Sequence, residues 1–161
     1  MSFSQDTINN NLNAFLDLLA WCEGTTAVTG SDDGYNVLFG GKLFTGYNDH
    51  PRKLTPFTNK KGKRLASTAA GRYQEKAHNY DVYKQELKLT DFSPKSQDLI
   101  ALKQIDECKA TAIILKGNIT DAINACAHIW ASLPGAGYSQ PEKTMTQCLA
   151  QYKTFGGTFA V

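Results

Sequence analysis

Apolar positions recur with a helical period at the start of the chain. Ile8, Leu12, Phe15, Leu16 and Leu19 stand three and four residues apart, the spacing of one face of an amphipathic helix. The pattern predicts a first helix over roughly 7–23, with Gly24 as its stop. Glu23 falls on the same stripe, four residues after Leu19 and eight after Phe15. Its carboxylate is therefore expected to point with the buried face. The negative end of the helix dipole and an apolar surrounding both disfavour the ionised form. A general acid working near neutral pH needs that bias. On spacing alone, a frayed and solvated helix end with Glu23 turned to water is the competing reading.

Beyond Gly24 the period changes. Residues 25–34 are small and polar, with Gly30, Ser31, Asp32, Asp33 and Gly34, and read as a turn-rich loop. Tyr35–Phe39 and Lys42–Thr45 are β-prone runs separated by Gly40-Gly41, which predicts a hairpin. Residues 46–66 set Arg52, Lys53, Lys60, Lys61, Lys63 and Arg64 against Asp49 alone, punctuated by Pro51 and Pro56. This stretch reads either as a basic lip for a polyanion or as a solvated loop.

Helices follow. One begins at Ser67 or Thr68, with Tyr73, Ala77, Tyr80, Lys84 and Leu87 on one face. Ser93-Pro94 opens the next, with Leu99, Leu102 and Ile105 inward. A short apolar piece, Ala112–Leu115, ends at Gly117. Asn118 with Asp121 forms a capping box before the stripe Ile119, Ala122, Ile123, Cys126, Ile129 and Trp130. Ser139 with Glu142 starts the last helix, which turns Met145, Cys148, Leu149 and Tyr152 to the core and ends at Gly156-Gly157. The expected architecture is α+β: mostly helical, with a small β-hairpin lobe after the first helix, a cleft between two lobes, and Glu23 where they meet.

Composition narrows the picture. A chain of 161 residues fits a single domain, 1–161, with a real core. A net charge of +2 gives no reason to expect nucleic acid as the main partner. No cationic leader precedes an apolar run and no stretch approaches a membrane span, so a soluble, cytoplasmically made protein without membrane insertion is expected. The four cysteines, Cys22, Cys108, Cys126 and Cys148, form no C-x-x-C pair and have no histidine at zinc-finger spacing. They read as small, reduced, buried hydrophobes, with a disulfide left open. No metal and no cofactor is expected.

A buried helix-end acid followed by a β lip also occurs in long collinear blocks. These are Ala14–Asp17, Leu19–Thr25, Gly34-Tyr35, Gly40–Thr45, Asp49–Leu54, Ala70–Gln74, Asp91–Asp98 and Ile129–Tyr138. Through these blocks nearly the whole chain resembles the lambda-type phage endolysins, lytic transglycosylases with a lysozyme-like fold. The resemblance implies cleavage between N-acetylmuramic acid and N-acetylglucosamine in peptidoglycan, leaving a 1,6-anhydromuramic end. It makes Glu23 the single acid and then base. It assigns Tyr73 and Gln74 to saccharide binding and puts Tyr138 in a second cleft segment, core packing being the alternative for both tyrosines. Trp21 and Trp130 read as core, and His50 as structural. The resemblance further implies a monomer acting on glycan strands of the periplasmic wall, made in the host cytoplasm and released by a holin. The chain departs from the family at Asp33, where a histidine is expected, at Asn36, where an aspartate is expected, and in a shorter loop after Glu23.

Two other functions compete. A hydrolysing muramidase would use Glu23 with Asp32, nine residues further on, as base or nucleophile. Against it, Asp32 and Asp33 read as turn formers before Gly34. A non-catalytic wall-binding or virion structural module would tolerate loss of the acid.

Overall fold

Helix α1 runs Gln5–Glu23 in the computed structural model, which describes residues 5–137 and 143–161, with side chains from residue 10 onward. Its buried band is wider than the predicted stripe. Ala14, Phe15, Leu16, Leu18, Leu19, Ala20 and Cys22 are all buried, whereas Leu12 is only partly so. From Ala14 to Cys22 only Asp17 is charged or polar, so the second half of the helix is an interior one.

The chain divides into two compact units, one made of residues 1–22 and 102–161 and the other of residues 23–101. In the first unit, α4 (Thr111–Leu115) packs on α5 (Ile119–Cys126), and α5 on α6 (Met145–Thr154). Fully buried Phe15, Leu18, Ile105, Ile114, Ile119, Ile123, Leu133 and Tyr152 supply its interior. Each such side chain contributes roughly 1.5–3 kcal/mol by leaving water. Buried Asn11 laces the unit together. Its amide donates to the Ile114 carbonyl at 3.2 Å, and its Oδ1 accepts from the Thr158 backbone and hydroxyl, each at 3.0 Å.

The second unit holds β1 (Thr55–Thr58) paired antiparallel with β2 (Arg64–Ser67), and α2 (Ala77–Glu86). Helix α3 (Pro94–Glu107) begins in this unit and ends in the first. The unit's core is Leu38, Phe44, Ala70, Tyr80, Phe92 and Ile100, with Tyr47, Tyr83, Leu87 and Leu89 packed against it.

Several local expectations are corrected. The turn expected at Gly40-Gly41 forms as a short antiparallel pair: a Val37–Leu43 bridge, with Leu38 N donating to Lys42 O at 2.7 Å and Phe44 N to Asn36 O at 2.9 Å. The longer hairpin, β1–β2, was not expected and lies at 55–67, across the stretch read as a basic loop. The opposite edge of residues 37–39 meets residues 69–71, Phe39 N donating to Ala69 O at 2.9 Å and Gly71 N to Val37 O at 2.8 Å. Helix α2 starts at Ala77 rather than at Ser67 or Thr68, because Gly71 and Gln74 both adopt positive φ (85° and 55°), which no helix accommodates. Thr68 still caps it from a distance, its hydroxyl accepting the Ala77 N–H at 3.0 Å. Leu99 is exposed on α3, whose inward stripe is Gln97, Ile100, Ala101, Gln104 and Ile105. Asn118 precedes α5 without a side-chain capping bond. Helix α6 opens at Met145 with a complete Thr144–Gln147 capping box. The box expected from Ser139 and Glu142 falls at residues outside the described ones.

Candidate active site

Glu23 is the last residue of α1 and is half-buried. Gly24 follows at φ 76°, ψ 8°, the left-handed conformation that ends a helix at low cost only when the residue is glycine. The expected helix stop is thus formed at the expected residue. Thr25–Ala27 then makes one 3-10 turn, and Thr25 is 2% exposed. The Thr25 hydroxyl donates to the Arg72 carbonyl at 2.7 Å. This bond ties the segment after Glu23 to the Gly71–Gln74 block. Gly34 (φ 84°) closes on the same threonine, since a Cβ there would stand 2.8 Å from its Oγ1.

The 71–74 block is a tight turn. Gln74 N donates to Gly71 O at 3.2 Å, and Ala70 and Glu75 exchange backbone bonds at 3.0 and 2.9 Å behind it. Gln97, 3% exposed, holds the turn from below. Its Oε1 accepts Arg72 N at 2.9 Å, and its amide donates to Tyr35 O at 3.1 Å and Phe92 O at 2.9 Å.

Arg72 is buried at 5% exposure, with its guanidinium over the rings of Tyr35 (5.3 Å) and Tyr73 (5.5 Å). Nε donates to Asp33 O at 3.0 Å, and one Nη donates to the Tyr73 hydroxyl at 3.0 Å. The other Nη lies 3.6 Å from the Asp33 carboxylate. Both tyrosine hydroxyls donate to Asp98 Oδ1, Tyr73 at 2.6 Å and Tyr35 at 2.9 Å. Burial first, and then the Asp98 charge, push the Tyr35 hydroxyl up to about 12. Burial drives Tyr73 in the same direction. Asp98 and Arg72 are thus opposite charges linked through the Tyr73 phenol, an arrangement that makes a buried guanidinium tolerable.

The sequence-predicted site residues separate within this frame. Tyr73 is 5% exposed and its hydroxyl is engaged on both sides, accepting from Arg72 and donating to Asp98. Gln74 is half-buried. Its amide donates to Val37 O at 3.1 Å and Gly71 O at 3.0 Å, which leaves the amide oxygen without a protein partner among the described residues. Tyr138 lies outside the described residues. Asp32 is exposed and accepts the Tyr47 hydroxyl at 2.7 Å, while its own N–H donates to Asn36 at 2.8 Å. Asp33 sits at φ 48° with its carbonyl bound to Arg72. Both aspartates shape the turn.

His50 is buried between Phe92 and Tyr80. Its Nδ1 accepts from Arg52 N at 3.0 Å and its Nε2 lies 2.8 Å from Glu75 O, a pattern that fits the neutral ring with the proton on Nε2. Burial lowers its pKa accordingly. Arg52, counted with the basic lip, is instead clamped by Asp49 at 2.9 Å and by Asp81. Trp130 is buried, and Trp21 is half-buried beneath the Lys143 ammonium at 4.7 Å.

Gln97 and Asp98 were missed as organisers of the site, and Arg72 was seen only as part of a block. A signal for Gln97 existed. It stands three and four residues before Ile100 and Ala101, on the buried stripe of α3, and a polar residue on such a stripe needs interior partners. Among the described residues no group of three His, Cys, Asp or Glu side chains is placed to hold a metal ion.

Known proteins are similar to this chain over nearly its whole length. The endolysin family model matches residues 13–159. The endolysin of Escherichia phage lambda is 51% identical over 153 residues, covering 94% of each chain. The endolysin of Escherichia phage P2 is 42% identical over 160 residues, covering 92% of this chain and 94% of the relative. The structure of bacteriophage lambda lysozyme complexed with a chitohexasaccharide superposes with a TM-score of 0.88 at 50% identity, over 94% of this chain and 97% of the other. The α+β fold expected from the helix and hairpin pattern, and implied to be lysozyme-like by the family resemblance, is the fold of that structure. A family match over nearly the full length, close relatives and a common fold agree, and the chain belongs to the endolysin family.

Proposed function

We propose that this protein cleaves the glycan strands of bacterial peptidoglycan between N-acetylmuramic acid and N-acetylglucosamine by lytic transglycosylation. The family membership supports the substrate class, as does the chitohexasaccharide bound by the lambda relative. Glu23 protonates the glycosidic oxygen as the bond to the anomeric carbon breaks. The resulting carboxylate then takes the proton of the muramic 6-hydroxyl, and O6 closes on the anomeric carbon. One carboxyl serves both steps, so no activated water and no second carboxylate is needed. The observation that carries this reading is the contrast among carboxylates. Glu23 stands half-buried at a helix end closed by Gly24, whereas Asp32 and Asp33 are exposed turn residues. Glycosidases that use two carboxyl groups need the second one poised beside the sugar. Gln74 and Tyr138 contact the saccharide, with Tyr73 setting the turn that presents Gln74. The enzyme acts as a monomer without a cofactor, is made in the host cytoplasm, and reaches the wall when a holin opens the membrane. No helix among the described residues is long and apolar enough to cross a membrane.

Mass analysis of fragments released from purified sacculi tests the reaction. Products lighter by one water than lysozyme products, without new reducing ends, are expected. Glu23→Gln should fold normally and lose at least ~100-fold in rate, the scale of a lost general acid. Asp32→Asn should keep most activity. Reducing ends together with an inactive Asp32→Asn would replace this reading with the hydrolase.

A further inference from the structure

The four cysteines are sorted into two pairs that the proposed reaction does not use. Cys22 and Cys148 face each other with their sulfurs 3.7 Å apart, both buried and both present as thiols. Cys108 and Cys126 neighbour one another elsewhere in the same unit. Cys22 lies in the last turn of α1, next in sequence to Glu23, and Cys148 lies in the first turns of α6.

We propose that Cys22 and Cys148 form a dithiol–disulfide site that braces the end of α1 onto the start of α6 when the protein meets a disulfide oxidant. The step is a thiol–disulfide exchange. One cysteine loses its proton to solvent and attacks a sulfur of the oxidant, forming a mixed disulfide and expelling one oxidant thiolate. The second cysteine, deprotonated in turn, displaces the other half. The protein loses two electrons and two protons, and the oxidant becomes two thiols. Local geometry favours this pair over the other. The Cys22 hydrogen bond holds the Cys148 thiol below its ordinary value against the opposing pull of burial, and the Lys143 ammonium adds to that effect. Burial instead raises both Cys108 and Cys126, keeping them as unreactive thiols. The two sulfurs are already at contact distance, and a bridge requires them to close to bonding distance.

The inference does not depend on the reaction catalysed. Its test uses the full chain carrying Cys108→Ser, so that Cys22 and Cys148 have one competitor, Cys126. The protein is equilibrated with oxidised glutathione, digested without reduction and analysed by mass spectrometry, and its unfolding midpoint is compared with that of the reduced form. The expected result is a linked pair of peptides containing Cys22 and Cys148, with a midpoint raised by roughly 5–10 °C for closure of so long a loop. In Cys108→Ser with Cys148→Ala, both the link and the midpoint shift should vanish. Thiols or glutathione adducts persisting at both positions, or a bridge through Cys126, would overturn the site. A linked protein with an unchanged or lower midpoint would overturn the bracing.

Discussion

The turn at 71–74 and the turn of the β1–β2 hairpin are each closed by a glycine at positive φ, and they are built in opposite ways. At Gly71 the surroundings dictate the backbone. A Cβ there would come 2.3 Å from Gln97 Oε1 and 3.0 Å from Phe92, and the neighbouring Arg72 and Tyr73 are buried with their polar atoms bonded. At Gly62 nothing lies within 4 Å of the same position. Asn59 makes that turn by itself, its Oδ1 accepting Lys61 N and Lys63 N, each at 3.0 Å. Lys60, Lys61, Lys63 and Arg64 are left exposed, with no ion pair to them among the described residues. A turn specified from outside commits its buried side chains, Arg72 and Tyr73, to the interior, whereas a turn specified by its own asparagine leaves its cations for something beyond the chain.

The largest expected effect lies in the glycines. Gly71→Ala should destabilise by about 3 kcal/mol or more, because strain and overpacking coincide. Gly62→Ala should cost only about 1 kcal/mol, the left-handed penalty alone. Urea unfolding of the two variants measures the difference, and similar losses would break the comparison.

Asp98→Asn comes next. It leaves buried Arg72 without its phenol-linked counter-charge, and a loss of about 1–3 kcal/mol is expected. Tyr35 should also titrate below its present value of about 12, as followed by tyrosinate absorbance. An unchanged Tyr35 titration would mean that burial alone sets it.

The pH dependence of stability separates the interior histidine from the surface carboxylates. His50 has a depressed pKa when folded, so the unfolded chain binds its proton more readily. Its contribution is fully present above about pH 6.5, the ordinary histidine value, and is lost as pH falls through the folded pKa. Asp49 and Asp91 are also depressed, Asp49 by Arg52 and Asp91 by the hydroxyls of Ser96 and Ser93. Their contribution is present above about pH 4 and fades below it. Urea midpoints measured across this range should decline in two stages. A flat profile from about pH 7 to about pH 5 would contradict a neutral buried His50.

The smallest effect on stability belongs to the hairpin. Replacing Lys60, Lys61, Lys63 and Arg64 by alanine should change unfolding free energy by less than about 0.5 kcal/mol per site. The same variant should bind sacculi more weakly at low salt, and the difference should disappear as salt shortens the screening length. Equal binding at low ionic strength would return these residues to a solvated turn.

The sequence was most legible where local chemistry decides. The α1 stripe and its Gly24 stop, the Ser93-Pro94 start of α3, and the Ile119–Cys126 stripe of α5 depend on near neighbours and were readable. The Gly40-Gly41 turn was readable in the same way, but the bond from Phe39 N to Ala69 O, 30 residues away in sequence, was not. The start of α2 was misjudged for the same reason: the turn at 71–74 is set by Gln97 and Val37, not by its own residues. The candidate site was legible as a set of blocks and illegible as a network. Nothing local to Asp98 announces that two tyrosines, one of them 63 residues distant, will share its oxygen.

The division of the chain has a consequence for its birth on the ribosome. The unit spanning residues 23–101 is one unbroken stretch, and it has everything it needs once residue 101 has emerged. The other unit is split, and its Asn11 waits for Thr158, synthesised 147 residues later. Contacts across so long a loop form late. During translation the apolar band of α1 must remain without its final partners while the middle of the protein is already complete. The first helix, rather than the later ones, is therefore expected to be the apolar segment left longest without its final partners.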